Sequence, residues 1–260
     1  LGRSGGLLEL WDLAAGTLVT SWQAATNQIC VVTFSPDGRQ VATGSETGDI
    51  KIWDVATRTE VAAIRPAGER ATSLSYSRDG RRLVGAVGWF QSVVFVWDVV
   101  NRRPLPFPRD RGGIIWLEFS PDGRLIAAAG MNGDVELWDS FSGGRVAKLK
   151  GHVMGVLRAS FFPDGKTLAT AGMDGRVKLW NLATFQELLT LPVPSGIALR
   201  SLCIAPDGRT LAVGYMGLPG HYVRFFSAPS LDDIRAFESA TRWGIPETRK
   251  EGTRNLTGSR

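Results

Sequence analysis

Two markers recur along this chain with one period and one phase, and that alone excludes most folds. Trp-Asp pairs stand at Trp11-Asp12, Trp53-Asp54, Trp97-Asp98 and Trp138-Asp139. Trp180-Asn181 and a degenerate Phe226-Ser227 continue the series, at spacings of 42, 44, 41, 42 and 46 residues. Turn triplets at Pro36-Asp37-Gly38, Arg78-Asp79-Gly80, Pro121-Asp122-Gly123, Pro163-Asp164-Gly165 and Pro206-Asp207-Gly208 are spaced 42, 43, 42 and 43 residues apart. A fixed period of this length is the mark of a repeat architecture, in which each unit buries its faces only against its neighbours.

Within a period the pattern is that of four short strands. In the fourth copy, residues 156–161 are rich in apolar side chains and end in Pro163-Asp164-Gly165. Pro sets φ there, Asp bonds to its own backbone and Gly accepts positive φ. Residues 166–171 form a second strand, Met173-Asp174-Gly175 a second turn, residues 177–180 an alternating third strand, and residues 186–191 a fourth. The third strand recurs before each Trp of the repeat marker, as in Ile50-Lys51-Ile52-Trp53 and Val135-Glu136-Leu137-Trp138. Short strands joined by turns at this spacing predict an all-β chain of four-stranded antiparallel units packed radially.

The F-S-P-D-G motifs at residues 34–38 and 119–123, the Gly151-His152 pair and the apolar strands ending in Trp-Asp resemble the WD-repeat (tryptophan–aspartate repeat) β-propeller family over residues 7–227. The resemblance implies a β-propeller of about five full blades plus an N-terminal half-blade over residues 1–237, followed by a disordered polar tail at 238–260. It also implies a hydrogen-bonded set of His, Thr or Ser, Asp and Trp in each blade. By position only the fourth copy holds all four, as His152, Thr170, Asp174 and Trp180; elsewhere Ala25, Ala67, Asp110 and Ser195 replace the His. The other copies are expected to rely on apolar packing around Trp53, Trp97 and Trp138. A seven-bladed ring would need about 65 further residues upstream, so the chain is expected to be a fragment, the alternative being a six-bladed variant with an irregular closure. Missing strands in the opening blade predict self-association through open edges.

Chemistry-bearing residues are sparse. The two histidines are expected to be a structural residue, His152, and an exposed loop residue, His221. The two cysteines, Cys30 and Cys203, sit in apolar runs and are expected to be buried free thiols. No metal-ligand spacing, nucleophile elbow or phosphate loop is present. The reading is therefore not an enzyme, with no cofactor and no metal; a propeller enzyme or a nucleic-acid-binding propeller is the alternative. The net charge of +5 is dispersed, without the basic stripe a nucleic-acid binder would show. No apolar run is long enough to span a membrane as a helix, and no secretory leader is recognised, so a cytoplasmic protein is expected. Asn255-Leu256-Thr257 is taken as a chance sequon.

What remains is binding of a protein or peptide. The resemblance implies docking on the face formed by the loops before the first strands and the turns between second and third strands. The first positions are Gln28, Arg70, Thr72, Ile115, Leu157 and Arg200; the second are Glu46, Met131, Met173, Tyr215 and Met216, with Trp89 and Phe90 in a longer second-copy turn. Turns normally favour Gly, Asn, Asp and Ser, whereas Trp, Tyr and Arg are common anchors and Met adapts its shape. The plainer alternative is that Trp89 and Phe90 fold back onto their own blade.

Overall fold

Alternation between apolar and polar residues, punctuated by the Asp-Gly turns, resolves into twenty-one strands in a computed structural model that describes residues 2, 5–107, 113–193, 198–217 and 220–227. The strands form six antiparallel meanders in chain order. The first is a hairpin of β1 (Leu7–Asp12) and β2 (Thr17–Gln23). The second is four-stranded: β3 (Ile29–Phe34), β4 (Gln40–Ser45), β5 (Ile50–Asp54) and β6 (Glu60–Ile64). The third holds β7 (Ala71–Tyr76), β8 (Arg82–Val87), β9 (Val93–Asp98) and β10 (Arg103–Leu105). The fourth holds β11 (Ile114–Phe119), β12 (Leu125–Gly130), β13 (Asp134–Asp139) and β14 (Arg145–Lys150). The fifth holds β15 (Val156–Phe161), β16 (Thr167–Gly172), β17 (Arg176–Asn181) and β18 (Glu187–Pro192). The last holds β19 (Leu199–Ile204), β20 (Thr210–Gly217) and β21 (Gly220–Ser227).

Neighbouring sheets from the second to the last touch chiefly through their first and second strands, so the first strands line one inner side of the series, here called the hub, and the fourth strands lie outermost. Burial follows that order. The second strands β4, β8, β12 and β16 are buried from their second residue onward, and the outer strands β14 and β18 are mostly exposed or half-buried. A strand covered on both faces carries small and apolar side chains, as in the runs Ala127-Ala128-Ala129 and Leu168-Ala169-Thr170-Ala171. At Gly44 a Cβ would lie 2.5 Å from that of Ala71 on the next sheet, closer than any side chain tolerates. The cores lie between sheets: one gathers Leu137, Leu149, Val156, Phe161, Leu168 and Trp180 from the fourth and fifth.

Both sequence markers close turns. In the first of them Ser35 Oγ donates to Asp37 Oδ1 at 2.6 Å, Asp37 accepts the Arg39 amide at 3.0 Å, and Gly38 takes φ 70°. Ser77–Asp79 and Ser120–Asp122 repeat the bond at 2.6 Å. The Asp after Trp works at the same end of the sheet, in the turn from third to fourth strand: Asp54, Asp98 and Asp139 accept the amides of Thr57, Asn101 and Ser142 at 2.8, 2.9 and 2.7 Å. Asn181 serves Ala183 and Thr184 in the same way at 2.8 and 3.0 Å.

Several expectations are modified. The last sheet shows three strands; a fourth near Ile234, the tail at 238–260, Asn255, Asp110 and Ser195 lie outside the described residues. His221 is exposed but stands on β21, paired with Met216, because that hairpin zips to Gly217 and Gly220. Both thiols are free, yet Cys203 is exposed and Cys30 half-buried. They lie on first strands, one side of which faces the hub instead of a neighbouring sheet.

Candidate functional site

The expected docking residues from Gln28 through Glu46, Arg70, Trp89, Phe90 and Met131 to Met173 follow one line, and backbone hydrogen bonds stitch its first part. The Glu46 amide donates to Gln28 O at 2.9 Å, Arg70 N to Glu46 O at 2.9 Å, and Gly88 N to Arg70 O at 2.9 Å. Side chains follow the same line: Arg70 Nη1 approaches Glu46 Oε1 at 3.5 Å and its guanidinium stands 5.9 Å from the Trp89 ring centre. Beyond Trp89 and Phe90 the line continues through two glycines. A Cβ on Gly113 would lie 3.3 Å from Phe90 O and 3.8 Å from Met131 Cβ; one on Gly155 would lie 3.1 Å from Met131 Cα and 3.3 Å from Met173 Sδ. The arc thus joins four sheets without a break. Trp89 is 47% exposed, with Arg70 of its own sheet beside its ring, and Phe90 is 80% exposed; Val153 at 84% and Met154 at 50%, the latter with its backbone beside Gly133, widen the apolar patch. Met131 and Met173 are half-buried, and Gln28, Glu46 and Arg200 exposed. Sequence reading missed Val153 and Met154, although they directly follow the Gly151-His152 pair.

Three residues expected on this face are buried and offer it no surface. Ile115 and Leu157 occupy the extra position of a β-bulge that recurs near the start of every first strand described, at Ile29/Val31, Ala71/Ser73, Ile114/Trp116, Val156/Arg158 and Leu199/Ser201. A bulge places two residues opposite one and re-aims side chains; these two turn into the sheet packing, at 4% and 8% exposure. Tyr215 is drawn inward by a stacked contact with Tyr222, ring centres 5.5 Å apart. Thr72 is half-buried and donates to Ala86 O at 3.2 Å. The Met216 side chain lies outside what the structure describes.

The fifth sheet holds the four-residue set as one chain. Trp180 Nε1 donates to Thr170 Oγ1 at 2.9 Å, Thr170 Oγ1 lies 2.8 Å from His152 Nε2, and His152 Nδ1 is 3.0 Å from both Asp174 oxygens. With the Nδ1 proton given to Asp174, Nε2 accepts the Thr170 hydroxyl, so a neutral imidazole satisfies every group. Burial pushes the His152 pKa down, outweighing the pull of Asp174. Trp53, Trp138 and Trp180 are buried and Trp97 half-buried. Trp53 Nε1 keeps a Thr partner, Thr43, at 3.1 Å; Trp138, whose sheet has Ala128 at that place, donates to Glu136 at 3.1 Å.

Polar side chains of one first strand occupy the free backbone of the next. Ser73 Oγ accepts the Leu117 amide at 2.9 Å and Ser75 Oγ that of Phe119 at 3.4 Å. Trp116 Nε1 donates to Ala159 O at 2.6 Å, and Glu118 Oε1 accepts Ser160 Oγ at 3.1 Å and the Phe161 amide at 3.2 Å. Burial raises the Glu118 carboxyl to about 7. Arg158, which sequence reading passed over, lies with its guanidinium 4.5 Å from the Trp116 ring centre.

On the opposite face a cleft of about 570 Å³ between the second and third sheets mixes Arg39, Arg78, Arg81 and Arg102 with Asp37, Asp54 and Asp79, carboxylates already engaged in turns. Among the described residues no three His, Cys, Asp or Glu side chains are grouped to hold a metal ion. No helix among them is long and apolar enough to cross a membrane. Compared with known families, residues 16–54, 107–139 and 143–181 match the model described as WD domain, G-beta repeat. The chain matches none of the curated proteins compared with it.

Proposed function

We propose that this chain, in which a WD-repeat domain is present over residues 16–181, is a non-catalytic scaffold that docks a protein or peptide on the arc from Gln28 to Met173. Its six sheets are read as blades around the hub, with the second-to-third-strand turns presenting the arc. The observation that carries the reading is the continuity of Glu46, Arg70, Trp89, Phe90, Met131 and Met173 across four sheets, with two large aromatic side chains left in solvent. A partner that covers Trp89 and Phe90 gains their transfer free energy, roughly 2 kcal/mol each. Half-buried methionines beside them adapt to the shape that arrives. Flanking arginines and Glu46 form the polar rim such interfaces carry.

A photo-crosslinking residue placed at Phe90 tests this, with Val100, exposed on the opposite face, as the comparison site. Expected is a discrete adduct from Phe90 in source cells that is lost in Trp89→Ala/Met131→Ala at unchanged melting temperature. Equal adducts from both sites, or adducts indifferent to the double substitution, would refute the reading.

A further inference from the structure

Arg158 and Arg200 stand one place apart in the repeat on β15 and β19, adjacent first strands that pack together at the hub; Arg200 takes the bulge position that Leu157 holds on β15. Arg158 is half-buried and held in place. Its guanidinium lies over Trp116, itself pinned to Ala159 O, and Nη1 donates to Leu157 O at 2.7 Å. One nitrogen is thereby committed, while a guanidinium carries five N–H donors. Arg200 is exposed. Among the described residues neither arginine makes an ion pair. Glu118, the buried carboxyl on the preceding first strand, is turned towards Ser160 and Phe161. Elsewhere the pattern differs: Arg70 has Glu46, and the opposite cleft interleaves its arginines with aspartates.

We propose that Arg158 and Arg200 form an anion-binding pair that receives carboxylates of an acidic segment in the docked partner. The proposal rests on the docking reading above and names the chemistry the arc itself does not specify. Burial depresses the Arg158 pKa and the Arg200 charge depresses it further, so the pair is mutually unfavourable until an anion arrives. A planar fork already fixed against an indole loses little freedom when it grips a carboxylate, and can do so through two parallel hydrogen bonds. Charge complementarity favours an Asp- or Glu-rich peptide, and Met173 and Met131, which flank Gly155 just before β15, would lie against its apolar residues.

Fluorescence anisotropy with a labelled hexaglutamate peptide provides the test, with hexalysine and a six-nucleotide oligothymidylate as comparators. The expected results are saturable hexaglutamate binding that weakens with salt, and about tenfold weaker binding in Arg200→Gln. Arg39→Gln, on the opposite face, is expected to bind as the wild type does. Arg158→Lys, which keeps the charge and loses the fork, is expected to weaken binding less than Arg158→Gln; Arg200→Gln alone decides the matter if the buried variants fail to fold. Absence of binding, equal losses in Arg39→Gln and Arg200→Gln, or tighter Arg200-dependent binding of the oligonucleotide would overturn the proposal. The Phe90 adduct separates the two readings: an adduct that persists in Arg200→Gln without hexaglutamate binding leaves the docking face standing and removes the anion pair.

Discussion

Replacing Thr170 with Val keeps the shape of the side chain and removes a hydroxyl that meets Trp180 Nε1 and His152 Nε2. Two buried groups lose their partner at once, and we expect destabilisation of about 3 kcal/mol, a fall of roughly 5–10 °C in melting temperature. Thr43→Val strands only Trp53 Nε1 and should lose less; equal losses would mean that the His152 chain adds nothing. Two buried groups bend the pH dependence in opposite senses. His152 is held below its ordinary 6.5, so its contribution is present above that value and lost as pH falls through the folded value. Glu118 is raised from 4.5 to about 7, so the stability linked to it is fully present below 4.5 and lost as pH rises through 7. Glu118→Gln keeps the acceptor for Ser160 and Phe161 without the charge. It is expected to match the wild type near pH 5 and to melt higher near pH 8, by up to about 3 kcal/mol of stability. Identical melting profiles across that range would refute a buried carboxylate. The His152 set was legible because each member sits at a fixed offset from a repeat marker. Arg158 was not, because the bulge at Val156/Arg158 shifts which residue faces the hub by one place.

At the scale of strands and turns, a substitution the chain has already made provides a control. Asn181 performs in the fifth sheet the capping that Asp54, Asp98 and Asp139 perform in others. Asp139→Asn should therefore lower the melting temperature at pH 7 only slightly, whereas Asp139→Ala should lower it by a few degrees. The Ser142 amide holds the Asp139 carboxyl below the usual range. Its advantage over Asn is thus a contribution present above the ordinary value and lost in acid, where the two proteins should converge. Thermal melts at several pH values check this, and a marked loss in Asp139→Asn at neutral pH would show that charge rather than turn geometry matters there. Turns and third strands were readable from sequence because Gly, Pro and Asp have local reasons to be where they are. Outer strands were less so: β10 extends only over Arg103–Leu105, and Pro104 has no amide to give to a ladder. The recurrent bulges left no sequence trace, since they follow from twist and inter-sheet packing rather than from a turn residue.

Across the whole molecule, the periodicity legible in the sequence reappears as six meanders, but the ends of the series differ from its middle. Among the described residues β1 pairs only with β2, apart from a single bridge between Gly2 and Leu8, and β21 pairs only with β20. Beside β1 lies an apolar groove of about 520 Å³ lined by Leu8, Leu10, Trp11, Trp22, Val32 and Phe34. Trp11 is 36% exposed and Phe34 47%. An edge of this kind offers unpaired amides and carbonyls next to apolar surface, and so templates another strand. We expect the 260-residue chain to associate with itself as concentration rises, one copy's open edge against another's. A charged side chain on an edge strand opposes such pairing, so Leu10→Lys/Trp11→Lys should shift the population towards monomer without lowering the melting temperature by more than the lost apolar contact requires. Sedimentation velocity over a hundredfold concentration range measures this directly. A single monomeric species throughout, or association untouched by the double substitution, would show that the edges beside β1 and β21 are closed in solution, and that an irregular ring accounts for the ends of the series better than open edges do.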